Sequence, residues 1–385
     1  MRKQQIIMAG VVAATAVVVP GGVAQAADGD EWRAIRPIVT LPERDLRDVE
    51  AVSATEVWIA GYQYSSASAY FPILQRWNGR NWRAYDPKGI GFEGRLYDLS
   101  AVGPNDVWVA GVREEDDETG LTETYLGHWD GSAWSMVDAP PANEAGGSVR
   151  RVAADGGGVW LADAGGRVSR WDGTSWTTHL DLGEPVYALE SFASGDAWLR
   201  TESAVHHWDG TAWSQVALPE GALVYQVQIT EQDGAWVPTP AGLLVWGNGS
   251  WQETPFPDGY QNRSVTGLSA GHWIRLGGGG EWSWLRWTGS GWFVADRASG
   301  ASREVTADSA GRVWGVDGVS VAVPFDPQQT RLHSGKLIRY RDGEWETVSG
   351  LPRANYILRA IPGTDKTIGV GVDGITGDLK AITNG

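Results

Sequence analysis

The stretch RWDGTSW, residues 170–176, carries two Trp residues on either side of a turn sequence. Asp and Gly tolerate positive φ, so Asp172 and Gly173 predict a β-hairpin in which one strand ends with Trp171 and the next begins with Trp176. Six further copies follow the same pattern: RWNGRNW (76–82), HWDGSAW (128–134), HWDGTAW (207–213), VWGNGSW (245–251), RWTGSGW (286–292) and RYRDGEW (339–345). A hairpin that recurs in this way predicts a repeat architecture.

A second landmark, an apolar stretch with a central Trp, precedes each hairpin. The copies are EVWIAG (56–61), DVWVAG (106–111), GVWLAD (158–163), DAWLR (196–200), GAWVP (234–238), GHWIRL (271–276) and RVWGV (312–316). An eighth copy, KTIGVGV (366–372), has Ile368 at the Trp position. A third apolar stretch, such as LRDVEAV (46–52), comes before each of these. The unit is therefore four antiparallel strands, named a to d here, about 45 residues long, which is typical of a β-propeller blade.

The two chain ends supply the missing eighth hairpin. The final ITNG (382–385) parallels RWNG (76–79), and ADGDEW (27–32) parallels RDGEW (341–345). We therefore predict an all-β fold, an eight-bladed β-propeller closed by the N-terminal strand in the last blade, with seven blades as the alternative. Of the 23 Trp residues, 21 occupy repeat positions. They are predicted to pack the blades together in a chain that has no Cys for disulfides.

The first 26 residues have the pattern of an export signal. Arg2 and Lys3 precede an apolar run, and AQA at 24–26 provides a small-residue cleavage site. We expect residues 1–26 to be a secretion signal peptide cleaved near Ala26, residues 27–385 to be a single propeller domain, and the protein to be secreted. The formal net charge of −16, without basic clusters, argues against nucleic-acid partners, and the signal run is too short for membrane insertion.

The alternation of DVWVAG and HWDGSAW resembles secreted, Trp-rich repeat propellers of actinobacteria. A narrower resemblance is to the propeller-type, lectin-like subunits of the umbrella toxin particles of Streptomyces. The first likeness covers the whole chain after residue 26 and implies the propeller fold. The second implies a surface that binds glycans, displayed on a larger secreted assembly.

One face of the disc carries the b–c loops and the d–a connections, and its longest b–c segments belong to blades 7, 8, 1 and 2. Loops of this kind carry function more often than the scaffold does. In blade 1, Tyr62 and Tyr64 could stack on sugar rings or pack on their own blade. In blade 2, the acids Glu114 to Glu118 could bind a cation or remain solvated. Trp282 has no repeat role and is a candidate ligand platform.

The start of strand a lines the mouth of the central channel. Two residues before an apolar anchor, seven of the eight blades carry Arg or Tyr: Arg47, Tyr97, Arg150, Tyr187, Tyr225, Arg303 and Arg359, with Thr266 in blade 6. In this alignment the anchor of blade 8 is Ile361. These side chains suit anionic or hydroxyl-rich ligands. The alternative is a structural network in which the arginines pair with Asp48, Asp98 and Glu304.

The sequence contains no catalytic motif, and we predict no cofactor and no metal. The residues predict a non-enzymatic module that binds extracellular or cell-envelope glycan. Two alternatives remain: an adaptor that docks a secreted protein partner without binding sugar, and a propeller lyase or glycosidase that uses the channel residues.

Overall fold

The repeated unit forms a four-stranded antiparallel blade, and eight such blades are arranged in a ring. The computed structural model describes residues 32–37, 43–64, 70–90, 94–114, 122–140, 151–230, 234–261, 264–269, 272–278, 281–295, 304–317, 320–321, 332–333, 335–362, 364–374 and 378–385. All of them belong to one unit, Trp32–Gly385. The predicted eight-bladed β-propeller is confirmed, and seven blades is wrong.

The strands follow the chain in blade order, with β1 (Arg33–Ile35) set aside for the last blade. Blade 1 consists of β2 (Glu43–Ser53), β3 (Glu56–Tyr64), β4 (Tyr70–Trp77) and β5 (Trp82–Ala84), and blade 2 of β6 (Arg95–Gly103), β7 (Asp106–Glu114), β8 (Thr122–Trp129) and β9 (Trp134–Met136). Blade 3 consists of β10 (Arg151–Ala154), β11 (Val159–Ala162), β12 (Arg167–Trp171) and β13 (Trp176–Asp181), and blade 4 of β14 (Ala188–Ser191), β15 (Ala197–Arg200), β16 (Val205–Trp208) and β17 (Trp213–Val216).

The second half of the ring has the same plan. Blades 5 and 6 are β18 (Gln228–Thr230), β19 (Gly234–Pro238), β20 (Gly242–Gly247), β21 (Ser250–Pro255); and β22 (Ser264–Ser269), β23 (Trp273–Gly278), β24 (Glu281–Trp287), β25 (Trp292–Ala295). Blade 7 is β26 (Glu304–Ala307), β27 (Val313–Asp317), β30 (Lys336–Arg341), β31 (Glu344–Thr347), with the separate ribbon β28 (Ser320–Val321) and β29 (Leu332–His333) in its b–c connection. Blade 8 is β32 (Asn355–Ala360), β33 (Thr367–Val372), β34 (Leu379–Thr383) and β1.

A 3₁₀ helix at Val224–Gln226 lies before β18. Within the ranges given above, no helix is both long and apolar enough to cross a membrane.

The chain ends close the ring as the sequence predicts. Strand β1 pairs with β34, with Ala34 opposite Ile382 and Ile35 opposite Ala381. The ring of Trp32 packs edge-on against Trp314 of blade 7, with the ring centroids 5.0 Å apart. The N-terminal segment is therefore strand d of blade 8, because strand-d Trp residues elsewhere contact the strand-b Trp of the preceding blade in the same way.

Tryptophan packing joins successive blades. Trp58 of blade 1 is fully buried, and its ring lies 5.4 Å from Trp129 and 5.2 Å from Trp134 of blade 2. Trp160 of blade 3 contacts the two hairpin Trp residues of blade 4 at 5.1 Å each. The recurrent hairpin Trp residues therefore fill the wedges between blades, which explains their repetition.

Beside the strand-b Trp, an acid and a basic side chain form a recurrent group. In blade 1, Glu56 accepts a hydrogen bond from Trp58 Nε1 at 2.8 Å and pairs with Arg76. In blade 2, His128 stands where Arg76 does, and it stacks on Trp108 at 4.2 Å. His128 Nε2 lies 2.9 Å from an Asp106 carboxylate oxygen. The His and Arg residues before the hairpin Trp are thus variants of one structural position.

The hairpin turns explain the Asp-Gly pair of the opening stretch. The Oδ1 atom of Asp172 accepts hydrogen bonds from the backbone N–H groups of Thr174 and Ser175, each at 2.8 Å, and Gly173 has φ +97°. These bonds, the Ser175 N–H first, lower the pKa of Asp172 to about 2. The same turn bonds act on Asp130 and Asp209. The largest contribution comes from the hydroxyl of Ser132 for Asp130 and from that of Thr211 for Asp209, and the pKa of each carboxyl is lowered to about 2.

We expect the Asp130→Asn, Asp172→Asn and Asp209→Asn triple variant to flatten the acid limb of stability. The pKa of each of these Asp residues is lower in the folded protein than in the unfolded chain. Their contribution to the free energy of unfolding is therefore constant above about pH 4 and is lost as the pH falls through 2. Asn keeps the acceptor, as Asn78 does in blade 1 with the N–H groups of residues 80 and 81 at 3.0 and 2.9 Å. Urea unfolding between pH 2 and 7 measures the effect.

The control is Asp258→Asn, which changes an exposed carboxylate outside these turns. An acid limb as steep in the triple variant as in the wild type would contradict the assignment.

Candidate functional site

The central channel contains a cavity of about 680 Å³. Its wall is built from strand a of blades 1 to 4, together with Arg359 of blade 8. This is the innermost strand of each blade, so it borders the channel. The cavity is the candidate functional site, at the place where the sequence predicts a ring of Arg and Tyr.

Two predicted residues, Arg47 and Tyr97, are the extra residues of β-bulges. In blade 1, Leu46 pairs with Gly61 and Asp48 with Ala60, which leaves Arg47 unpaired in the ladder. The register shifts at Tyr97 in blade 2 in the same way. A bulge re-aims the side chain of its extra residue. Both side chains consequently line the cavity.

Arg47 is held in a network of aromatic and acidic groups. It donates a hydrogen bond to the Tyr62 hydroxyl at 2.6 Å and forms an ion pair with Asp45 at 2.6 Å. Its guanidinium lies 5.2 Å from the ring centroid of Tyr62 and 5.9 Å from that of Tyr97. The structure thus brings together three predicted residues, Arg47, Tyr62 and Tyr97. Because Tyr62 also meets Tyr70 edge-on at 5.7 Å, its ring is largely occupied by protein neighbours.

Asp48 and Asp98 join neighbouring blades through hydrogen bonds with the backbone of the next inner strand. Asp48 accepts a hydrogen bond from the backbone N–H of Leu99 in blade 2 at 3.0 Å, and Asp98 accepts one from Val152 in blade 3 at 2.8 Å. Strand a is an edge strand, so its N–H groups need acceptors from outside the blade. The predicted pairing of Arg47 with Asp48 is wrong, because Arg47 pairs with Asp45. Asp98 does pair with an arginine, Arg151, at 3.8 Å, and Glu304 has no described side chain.

Arginine side chains complete the contacts between inner strands. Arg151 donates to the backbone carbonyl of Tyr187 in blade 4 at 2.9 Å. Arg359 donates to the carbonyl of Val49 in blade 1 at 3.2 Å. These bonds and the two aspartate bonds connect blades 8, 1, 2, 3 and 4 along the cavity.

The alignment that placed Ile361 as the anchor of blade 8 is wrong. Leu358 pairs with Gly369, the residue after Ile368, as Val49 pairs with the residue after Trp58. Arg359 therefore occupies the position after the anchor, not the position two before it. Arg359 still lines the cavity, because the predicted and the observed position both lie on strand a, the strand beside the channel.

Two carboxyl groups of the cavity, Glu50 and Glu190, were not predicted from the sequence. Both follow the anchor and pair with a strand-b Trp, Glu50 with Trp58 and Glu190 with Trp198. Glu50 lies two residues after Asp48 on the same strand, and this spacing could have indicated that both side chains lie on one face. Desolvation, then the charge of Asp48, raises the pKa of Glu50 to about 8 and that of Glu190 to about 7.

The other predicted residues have different positions. The Tyr187 side chain lines the cavity and is 46% exposed, whereas Tyr225 is 65% exposed on the 3₁₀ helix and does not line it. Tyr64 and Trp282 lie in β3 and β24, where Tyr64 pairs with Tyr70 and Trp282 with Gly277, but their side chains are not described. Arg150, Arg303, and residues 115–118 of the acidic run lie outside the described residues.

Metal-ligating groups are not assembled in the part of the chain that the structure describes: no three His, Asp or Glu side chains there could hold a metal ion. The lining of the cavity offers guanidinium, phenol and carboxyl groups.

A second cavity, of about 450 Å³, lies between blades 2 and 3. It is on the face that carries the a–b and c–d turns, opposite the face with the b–c loops. Trp108 and its stacked partner His128 form one wall, and Gly156 to Gly158 form part of another. Gly158 stands two residues before the strand-b Trp, where blades 1, 2 and 4 carry Glu56, Asp106 and Asp196. This cavity contains none of the predicted ligand-binding residues.

Comparison with known proteins supports the fold. No family model matches the sequence, and no curated protein is significantly similar to it. Among solved structures, the chain is similar to YCF48 bound to D1 peptide, with 17% identity, a TM-score of 0.51, and coverage of 95% of this chain and 99% of that one. YCF48 from Cyanidioschyzon merolae matches with 12% identity and a TM-score of 0.47 over 91% and 98% of the two chains. At 17% identity, the likeness to YCF48 bound to D1 peptide shows the β-propeller fold alone.

Proposed function

We propose that the protein is a non-enzymatic binding module that holds an extended segment of a partner protein at the mouth of its channel. The observation that carries the proposal is the cavity of about 680 Å³, whose rim bears Arg47, Tyr97 and Tyr187. A volume in this range suits a ligand of a few residues, and Tyr and Arg are the side chains most enriched at binding hot spots. A similar propeller, YCF48, has been solved bound to a peptide, which is compatible with this use of the fold.

Recognition would depend on side chains more than on strand addition. The N–H groups of Leu99 and Val152 already donate to Asp48 and Asp98, so a partner strand cannot pair there. Arg47 and Tyr187 instead present a guanidinium and a partly exposed phenol to the cavity. Such groups bind backbone carbonyls, carboxylates and apolar side chains.

We expect Arg47→Ala and Tyr187→Ala each to weaken partner binding at least tenfold, because truncating a central Arg or Tyr at an interface costs about 1.4 kcal/mol or more. The experiment uses immobilised protein to capture a stoichiometric partner from the native culture fluid, followed by titration of the purified pair. The matched control is Arg341→Ala, which removes an arginine that is 55% exposed on the outer hairpin of blade 7. Equal capture by the wild type and both cavity variants would contradict the proposal.

Binding of extracellular glycan is the second candidate. The observation that favours it is the exposed Tyr pair, Tyr187 and Tyr225, in adjacent blades at equivalent positions before strand a. Exposed aromatic rings provide faces on which sugars stack. Saturable glycan-array binding that is lost in Tyr225→Ala, without a protein partner in the culture fluid, would establish a lectin-like module.

Export from the cell is part of the same proposal and follows from the signal pattern of residues 1–26. A secreted subunit of a larger particle, including a toxin particle, would use the channel mouth or the opposite face for assembly. N-terminal sequencing of the protein from culture fluid tests the cleavage after Ala26.

A propeller lyase or glycosidase is the enzymatic alternative, favoured by the raised pKa values of Glu50 and Glu190 beside Arg359. Carboxyl groups with pKa values near neutrality suit general acid–base catalysis. Release of unsaturated or reducing ends from polysaccharide by the wild type, but not by Glu50→Gln, would replace the binding proposal.

A further inference from the structure

Glu50 and Glu190 face the cavity from blades 1 and 4, and neither forms a hydrogen bond or ion pair with another described residue. The other carboxyl groups of the cavity have protein partners. Asp48 and Asp98 accept backbone N–H groups, and Asp155 accepts from Arg170 at 3.0 Å and Ser191 at 2.8 Å. The two glutamates are therefore the acceptors that the fold itself does not use.

The cavity carries a net negative charge when all of its carboxyl and guanidinium groups are ionised. Its lining includes five carboxyl groups, on Asp48, Glu50, Asp98, Asp155 and Glu190, and three guanidinium groups, on Arg47, Arg151 and Arg359. When all are ionised, the sum is 3 − 5 = −2. Arg151 and Arg359 donate to the backbone carbonyls of Tyr187 and Val49, and Arg151 also pairs with Asp98 at 3.8 Å, so the scaffold positions both.

The charge of Glu190 acts on Glu50 across the cavity. The charge of Glu190 helps to raise the pKa of Glu50, after desolvation and the charge of Asp48, while Arg359 lowers the pKa of both glutamates. The Glu190 side chain keeps contact with solvent through the channel, although protein atoms surround it. A positive charge bound in the cavity near the two groups would favour their ionised forms and so offset the effects of desolvation and of the neighbouring negative charges.

We propose that Glu50 and Glu190 form the recognition site for a basic side chain, Lys or Arg, of the partner segment. This proposal rests on the function proposed above and names the chemistry that the segment must carry. A guanidinium or ammonium group supplies several donors to carboxylates that lack them. A metal ion is the less suitable occupant, because no group of three acidic or His ligands is formed among the described residues.

The test uses a defined probe, the peptide acetyl-Gly-Gly-Arg-Gly-Gly-amide, with Lys and the uncharged citrulline in place of Arg as companions. Isothermal titration measures binding to the wild type, to the Glu50→Gln/Glu190→Gln double variant, and to Glu253→Gln as a control on the exposed outer strand of blade 5. We expect the double variant to lose at least tenfold in affinity for the Arg or Lys peptide. The control should bind like the wild type, and citrulline should bind weakly to all three.

Binding should also strengthen as the pH rises from 6 to 9. Glu50 and Glu190, with pKa values raised to about 8 and about 7, set this dependence. The charged groups around them are Asp48, Arg151, Arg359 and Asp98, and burial raises the pKa of Asp98 as well. A cation prefers the ionised carboxylates, so binding at pH 7 should release protons. Titration in two buffers of different ionisation enthalpy measures that release, and no release would contradict the proposal.

The outcomes separate this inference from the proposed function. A culture-fluid partner lost in Arg47→Ala but retained by the glutamate double variant would keep the function and overturn the basic-residue site. Binding of the Arg peptide that depends on the glutamates, without any protein partner, would keep the site and overturn the function. Equal binding of the Arg and citrulline peptides would overturn the site.

Discussion

A chain that begins at Ile38 should lose most of its cooperative stability and associate through its last blade. Removal of the closing strand eliminates the pairing of β1 with β34 and the hydrogen bond from Arg33 to the carbonyl oxygen of Gly385 at 2.7 Å. It also removes Ile35, which is 7% exposed, and the contact of Trp32 with Trp314. The buried area of these two side chains alone contributes about 5 kcal/mol. The loss is therefore comparable with the whole stability of an ordinary domain.

The uncovered β34 would present an edge strand, which is a template for pairing with another chain. Thermal unfolding and size-exclusion chromatography with light scattering measure both effects, and the control is a chain that begins at Ala27. A monomer with the same melting temperature as the control would show that the N-terminal strand does not close the ring.

The fold was predictable because the strands and turns of each blade are encoded by short stretches of local sequence. The Trp171–Trp176 hairpin needs only a turn that tolerates positive φ at Gly173, so the letters of seven residues are sufficient. Ring closure could also be deduced, because one hairpin was missing and its halves stood at the two chain ends. These features depend on neighbours in sequence, or on the arithmetic of a repeat.

The channel was less predictable because its contacts join different blades. Asp48 lies beside Arg47 in sequence, yet Arg47 pairs with Asp45, and Asp48 bonds to Leu99 of the next blade. Nothing in a single repeat indicates that an inner edge strand will take its acceptor from its neighbour. The correct partner follows only when the blades are arranged in a ring.

Blade 8 shows a second limit, because its strand b lacks the Trp that aligns the others. Without that marker, the apolar run around Leu358 and Ile361 allowed a register three residues out. The same uncertainty concealed the position of Arg359. Glu50 and Glu190 were missed because the alignment compared only the position two residues before the anchor of strand a. It left out the position directly after the anchor, which these glutamates occupy.

Replacement of Trp58 by Ala should destabilise the protein by about 4 kcal/mol, the typical cost of removing a large aromatic side chain from a core. Trp58 is fully buried at the junction of blades 1 and 2, where Tyr85 also contacts it at 5.1 Å. Its Nε1 donates to Glu56, which is only 3% exposed, so the substitution also removes one partner of a buried carboxylate. Arg76 still pairs with Glu56 and limits that second cost.

Blade 8 supplies the natural comparison for this position. Ile368 stands there in place of Trp and packs in one buried cluster with Trp77 and Trp82 of blade 1. An apolar side chain of moderate volume therefore closes a junction when the neighbouring blade contributes both hairpin Trp residues, so Trp58→Ile should cost less than Trp58→Ala. Urea unfolding of the two variants measures the difference. Equal losses would mean that the indole hydrogen bond to Glu56, rather than the filled volume, holds blades 1 and 2 together.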